Sequence, residues 1–180
     1  MDLQTLAKQV GTLDSEPPFD SWHPENCGEI DIAIKQDGTW FHQGSPIGRI
    51  KLVKLFAQVL IKEADGYYLK TPVEKMKIKV EDAPFIITQW QLHQTEQGPA
   101  IEVETNINQK FILSKTHPLF IEYTETEPHL YVRLNRGLTA KVHRNVYYQL
   151  IEHGQEKMRS NQSHLVINSA NEEFSLGVLE

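Results

Sequence analysis

Residues 37–85 read DGTWFHQGSPIGRIKLVKLFAQVLIKEADGYYLKTPVEKMKIKVEDAPF, and the order of turns and periodicities within them decides the fold. Asp37-Gly38 is a strong hairpin signal, because glycine takes the positive φ that a tight turn between strands requires. Just upstream, Ile30, Ile32 and Ile34 alternate with Asp31, Ala33 and Lys35, the period of a half-buried strand, and Thr39, Trp40 and Phe41 begin the returning strand. Ser45-Pro46 reads as a helix N-cap followed by a first-turn proline. Ile50, Leu52, Val53, Phe56, Val59 and Leu60 supply the apolar face of that helix. Ala64, Asp65 and Gly66 end it in a turn. Residues 67–71 and 75–81 then form a second hairpin about Pro72, with Met76, Ile78 and Val80 inward and Lys75, Lys77 and Lys79 toward water.

Working outward, Leu3, Leu6 and Val10 recur at helical spacing and predict a short first helix, ended by Gly11 and followed by a Ser15-Glu16-Pro17-Pro18 linker. Downstream, strands are expected at 85–93, 100–105 and 110–114, separated by Gly98-Pro99 and Asn106-Ile107-Asn108. The acidic residues 122–127 form a solvated loop, and a strand at 130–134 turns through Arg136-Gly137 into another at 138–142. A short helix at 145–151, closed by Gly154, precedes strands at 164–167 and 174–178. The order hairpin, helix, hairpin therefore occurs twice, at 30–81 and at 130–178. Short hairpin connections imply antiparallel sheets with a helix on one face, the α+β class. The expected architecture is two lobes of repeated modules, each sheet packed by one helix, plus a short N-terminal helix. Its expected divisions are 1–20 for helix and linker, 21–84 for the first module, and 85–180 for the meander and second module.

Composition narrows the function classes. The chain has 180 residues, 39% of them hydrophobic and 23% charged, the balance of an ordinary folded domain. A net charge of -6 lacks the basic surface that neutralising nucleic-acid phosphates requires. One cysteine, Cys27, excludes an internal disulfide framework and a multi-thiolate zinc site, and fits a reducing cytoplasm. No stretch approaches the roughly 18 apolar residues of a membrane span, so no membrane insertion is expected.

Residues 44–49, GSPIGR, lie between a strand and a predicted helix N-terminus, where free backbone N–H groups and the helix dipole favour an anion. Ser45 adds a hydroxyl and Arg49 a guanidinium fork, although Ser45 as a plain cap and Arg49 as an ion-pair partner is the simpler reading. The Walker and dinucleotide spacings are absent. Thr71, Pro72, Val73, Glu74 and Lys75 bring a hydroxyl, an acid and a base to the next hairpin tip; Glu74 is either a general base or half of an exposed ion pair. Glu81-Asp82 would hold a metal or share a proton, or would form a solvated corner before Ala83-Pro84. Cys27 would serve as a nucleophile only beside a histidine such as His23 or His42. The eight histidines show no metal-site pairing. Trp40, Tyr67, Tyr68, Tyr147 and Tyr148 flank the two predicted helices and either line a pocket or pack the core.

Residues 37–49 (DGTWFHQGSPIGR), 52–57 (LVKLFA), 65–85 (DGYYLKTPVEKMKIKVEDAPF) and 146–154 (VYYQLIEHG) strongly resemble a bacterial family known as domain of unknown function 1285. The resemblance spans nearly the whole chain. It implies a two-lobed α+β protein of repeated modules, with a cleft that binds a small ligand in signalling, and it establishes no activity. The positions that match are Trp40, Gly44, Ser45, Pro46, Arg49, Thr71, Pro72, Glu74, Lys75, Glu81 and Asp82. The expectation is a cytoplasmic small-molecule binder for a small, anionic ligand, held by Trp40, Gly44, Ser45, Arg49, Thr71, Glu74 and Lys75, with no cofactor and no metal. Because no set of nucleophile, base and orienting group is evident, binding is expected rather than catalysis. A protein-interaction module, homodimeric or with another partner, and a hydrolase built on Glu74, Glu81 or Asp82 are the alternatives.

Overall fold

The computed structural model describes residues 3–12, 17–96, 98–123 and 127–179. These fall into two units: Met1–Pro84 with Arg136–Leu138, and Phe85–Asn135 with Thr139–Glu180.

In the first unit, β1 (Asn26–Ile34), β2 (Trp40–His42) and β3 (Ser45–Pro46) form one antiparallel run, and β4 (Leu60–Glu63), β5 (Gly66–Lys70) and β6 (Glu74–Val80) form another. A parallel pairing of β1 with β6 joins them into one six-stranded sheet, in the order β3-β2-β1-β6-β5-β4. Helix α1 (Leu3–Gly11) buries Leu6 and Val10, and α2 (Ile50–Gln58) buries Val53, Phe56 and Ala57; the two helices pack on each other. Ile32, Ile34, Trp40, Leu60 and Leu69 complete this core from the sheet. Each such fully buried side chain stabilises the fold by about 1.5–3 kcal/mol.

The second unit repeats the plan. β7 (Phe85–Thr95), β8 (Gly98–Thr105) and β9 (Lys110–Ile112) form one run, and β10 (Leu119–Tyr123), β11 (Pro128–Arg133) and β12 (Thr139–Val142) the other. A parallel β7–β12 pair again closes a six-stranded sheet, in the order β10-β11-β12-β7-β8-β9. Helix α3 (Arg144–His153) follows, and β13 (Gln155–Arg159), β14 (Gln162–Ser169) and β15 (Glu172–Leu179) make a third, antiparallel sheet. Phe85, Ile87, Val103, Leu113, Val132 and Leu150 are buried within this unit.

The α+β class and the repeated lobes therefore hold, and each six-stranded sheet contains one parallel pair among its antiparallel neighbours. The repeat runs in another frame, however, pairing 26–80 with 85–142 rather than 30–81 with 130–178. In the first copy the helix separates the two runs of strands, whereas in the second it follows them, so matching helix to helix displaces the frame.

Four strands differ from the sequence reading. Ser45-Pro46 is a strand and not a helix start, because Gln43 (φ 49°) and Gly44 (φ 76°) make a tight turn that pairs Ser45 with His42. The helix begins at Ile50, with Arg49 in the N-cap position. Leu60 leaves the helix for β4, where its partner is Leu69. β13 escapes notice because all five of its residues are exposed, which removes the alternation that marks a strand. Of the expected 122–127 loop, Glu122 and Tyr123 instead end β10, paired with His129 and Pro128 of β11, because the acidic side chains sit on an antiparallel edge; residues 124–126 and part of the Ser15-Glu16-Pro17-Pro18 linker lie outside the described residues. Among the described residues no helix is long and apolar enough to cross a membrane.

Candidate functional site

The 45–49 loop lines a cleft of about 560 Å³ within the first unit. Its shape begins with the Gln43-Gly44 turn, which returns β3 beside β2, and with the Ile47 N–H, which donates to the Trp40 carbonyl at 2.7 Å. One wall is then Ser45, Pro46, Ile47 and Gly48, with His42 behind them and Arg49 and Leu52 at the start of α2. The opposite wall is α1, through Leu3, Gln4, Ala7 and Lys8. Two i, i+4 pairs on one helix face, Leu3 with Ala7 and Gln4 with Lys8, thus serve the cleft, while Leu6 and Val10 serve the core.

The charge pattern at this cleft is one-sided. Arg49 occupies the N-cap of α2 with no side-chain hydrogen bond to the helix, and the first turn contains no acidic residue. The Arg49 carbonyl accepts from Leu52 N at 2.9 Å and Val53 N at 3.2 Å, and the helix's first N–H groups precede these. Lys51, in the same turn, is a further cation that does not line the cleft. Among the described residues no carboxylate lines the cleft, and neither Arg49 nor Lys8 has a side-chain ion pair.

The remaining candidate residues lie elsewhere in the first unit. Trp40 is 2% exposed and packs in the core; its indole N–H meets no acceptor among the described residues. Gly44 shapes the turn. Thr71 is fully buried at the β5–β6 turn, where its backbone N–H donates to the Glu74 carbonyl (2.8 Å) and its hydroxyl accepts from Glu74 N (3.1 Å). The Thr71 hydroxyl also lies 3.2 Å from the Gln9 side-chain carbonyl of α1, while Gln9 Nε2 donates to Glu74 Oε2 at 3.2 Å. Asn26 Nδ2 donates to the other Glu74 oxygen at 2.9 Å. This turn is therefore outside the cleft lining and fastens α1, the cleft's far wall. Lys75 pairs with Glu63 at 2.5 Å and lies 4.4 Å from the Tyr68 ring centroid; the Glu63 hydrogen bond holds its ammonium pKa above the usual lysine value.

Glu81 accepts from Lys35 Nζ at 2.7 Å and from Gln36 N at 3.1 Å, and the Lys35 hydrogen bond holds its carboxyl below the usual range. Asp37, Asp65, Glu102 and Glu173 are likewise shifted down, chiefly by hydrogen bonds from Thr39 N, Tyr68, Lys110 and Lys157. The direction is opposite to that of a carboxyl kept protonated as a general acid. Among the described residues no three His, Cys, Asp or Glu side chains converge as metal ligands. Cys27 is exposed, with its thiol 3.8 Å from the Pro24 carbonyl. In the second unit, Tyr147 donates to the Leu176 carbonyl at 3.0 Å and stacks on Tyr148, which is exposed.

The sequence reading missed the α1 wall. Its signal was present in Ala7 and Lys8, beside the Leu3–Leu6–Val10 face, but their partner loop is some forty positions away and no periodicity links the two.

The fold and cleft define an α+β protein built on a duplicated six-stranded mixed sheet, with an apolar, cation-rimmed cleft in its first unit. Residues 17–83 match the family described as Domain of unknown function (DUF1285), N-terminal domain, and residues 84–176 match Protein of unknown function (DUF1285), C-terminal domain. The chain belongs to the DUF1285 family. A DUF1285 family protein from Silicibacter pomeroyi DSS-3 is similar over 99% of this chain and 96% of its own, at 30% identity and a TM-score of 0.87. Another, from Shewanella baltica OS155, is similar over 67% of this chain and 90% of its own, at 31% identity and a TM-score of 0.55. Comparison with curated proteins finds no match.

Proposed function

We propose that the protein binds a small anionic ligand in the cleft between α1 and the 45–49 loop, as a cytoplasmic sensory or signalling component. The observation that carries this reading is the charge pattern at the start of α2. Arg49 and Lys51 stand at the positive end of the helix dipole, where each cation is unfavourable by about 0.3–1 kcal/mol, and the first turn has no acid to offset them. Lys8 adds a cation from the opposite wall. An anion seated there would neutralise cations that have no ion-pair partner among the described residues and would meet the positive end of the helix. Ser45, Gly48, Arg49 and Lys8 are the residues assigned to it, and Thr71 and Glu74 support it by holding α1.

The competing interaction-module reading has weaker support. β13 is the outer strand of the third sheet and Met158 on it is 66% exposed, but Glu156, Lys157 and Arg159 give that strand the charges that discourage edge pairing.

A thermal-shift screen with inorganic phosphate, sulfate and a series of carboxylates tests the proposal. A ligand at a hundred times its Kd stabilises the protein by about 2.7 kcal/mol. The expected result is a shift with at least one anion that Arg49→Ala and Lys8→Ala each reduce. Shifts of equal size in the wild type and both variants would remove the site from this cleft.

A further inference from the structure

We infer that the ligand of this cleft is an amphipathic anion, free in solution: a carboxylate, phosphate or sulfonate head on an apolar body. The inference rests on the anion-site reading above and adds the identity of the rest of the molecule. Leu3 and Ala7 on one wall face Pro46, Ile47 and Leu52 on the other, all five lining the same volume. Gln4, Lys8, Ser45 and Arg49 are exposed, as is Pro46, whereas Leu3, Ala7, Ile47 and Leu52 are half-buried together with His42. Charge therefore lies at the rim and hydrocarbon beneath it. A compact hydrophilic anion would use the rim and leave the apolar walls wet, and about 560 Å³ is far more than such an ion fills. An acyl or aromatic body would instead remove both walls from water. A concave volume of this size suits a single dispersed molecule rather than a bilayer surface.

Calorimetric titration of the 180-residue chain with hexanoate, octanoate and decanoate, below their micelle concentrations and alongside inorganic phosphate, tests the idea. Affinity should rise about fourfold for each methylene buried. Arg49→Ala should weaken every carboxylate by about tenfold while preserving the dependence on length. Ala7→Trp, which fills the apolar floor, should flatten that dependence, and Leu52→Ala gives a milder second variant should the tryptophan disturb α1; circular dichroism reports the fold of each. A flat series, with phosphate bound as tightly as decanoate and still dependent on Arg49, would overturn the apolar body and leave the anion site standing. No binding of phosphate or of any carboxylate would overturn both. Chain-length dependence unchanged by Ala7→Trp and Leu52→Ala would place the apolar contact outside the cleft and overturn the inference. Co-sedimentation with phosphatidylglycerol vesicles that decanoate fails to displace would overturn the free amphiphile.

Discussion

Arg136 adopts φ 60°, a left-handed conformation costly for a side chain, and is followed by Gly137 at φ 72°. What the turn achieves is visible at the end of α2: Arg136 Nη1 donates to the Gln58 carbonyl at 2.5 Å and Nη2 to the Ala57 carbonyl at 3.4 Å, while the guanidinium lies 5.1 Å from the Phe19 ring centroid. A cation thus meets the negative end of a helix that has no basic residue in its own last turn. Burial lowers the guanidinium pKa, but an arginine stays charged at any physiological pH. The two ends of α2 contrast: the carbonyl end accepts from Arg136, whereas Arg49 at the N-cap lines the cleft. Arg136→Ala should cost about 1.5–3 kcal/mol in urea unfolding, through lost charged hydrogen bonds. Arg136→Gly should cost about 1 kcal/mol less than the alanine variant, because glycine relieves the positive φ. Equal losses for the two would show that the backbone conformation carries no strain. Arg136-Gly137 was legible as a turn, but the guanidinium's partners were not, because they lie 78 and 79 positions away.

Among the elements, those whose signal is local were the legible ones. Asp37-Gly38 announces the β1–β2 hairpin, and Asp37 Oδ1 accepts from Thr39 N at 2.9 Å, bracing the turn from within. The elements that escaped are short or exposed and are held by their neighbours. β3 has two residues and depends on pairing with β2, and β13 depends on β14 through a Ser160-Asn161 turn in which both residues take positive φ. Such turns favour asparagine but tolerate other residues, so the sequence carries only half a signal. The passage from α3 into β13 also depends on close packing. A Cβ on Gly154 would meet Leu165 Cγ at 2.6 Å and Cδ1 at 2.8 Å. Gly154 has φ -68°, so its backbone suits any residue and only space requires glycine. Gly154→Ala should therefore destabilise by about 1–3 kcal/mol. Adding Leu165→Ala should recover part of that loss in a double-mutant cycle; strict additivity of the two would refute the clash.

On the scale of the whole molecule, the hydrogen-bonded carboxylates give a prediction for acid. Asp37, Asp65, Glu81, Glu102 and Glu173 all titrate below their ordinary range in the folded chain. In the window between folded and unfolded pKa values the unfolded chain binds more protons, so stability rises with pH there. Their contribution is complete above the unfolded values and disappears as pH falls through the folded ones. The urea midpoint should decline from about pH 5 toward pH 3, less steeply in Glu81→Gln and in high salt, which screens exposed pairs. An acid limb identical in that variant would show that the Lys35–Glu81 pair contributes nothing. The sequence by itself determined the α+β class, the Asp37-Gly38 hairpin and the body of the main helix, because turn chemistry and apolar periodicity act within a few residues. Only the tertiary structure decided that β1 and β6 pair in parallel, that the repeat runs from 26 to 80 and from 85 to 142, and that α1 rather than the β5–β6 turn faces residues 45–49. Those outcomes depend on which apolar faces cover one another, a choice made between segments tens of residues apart that no local pattern records.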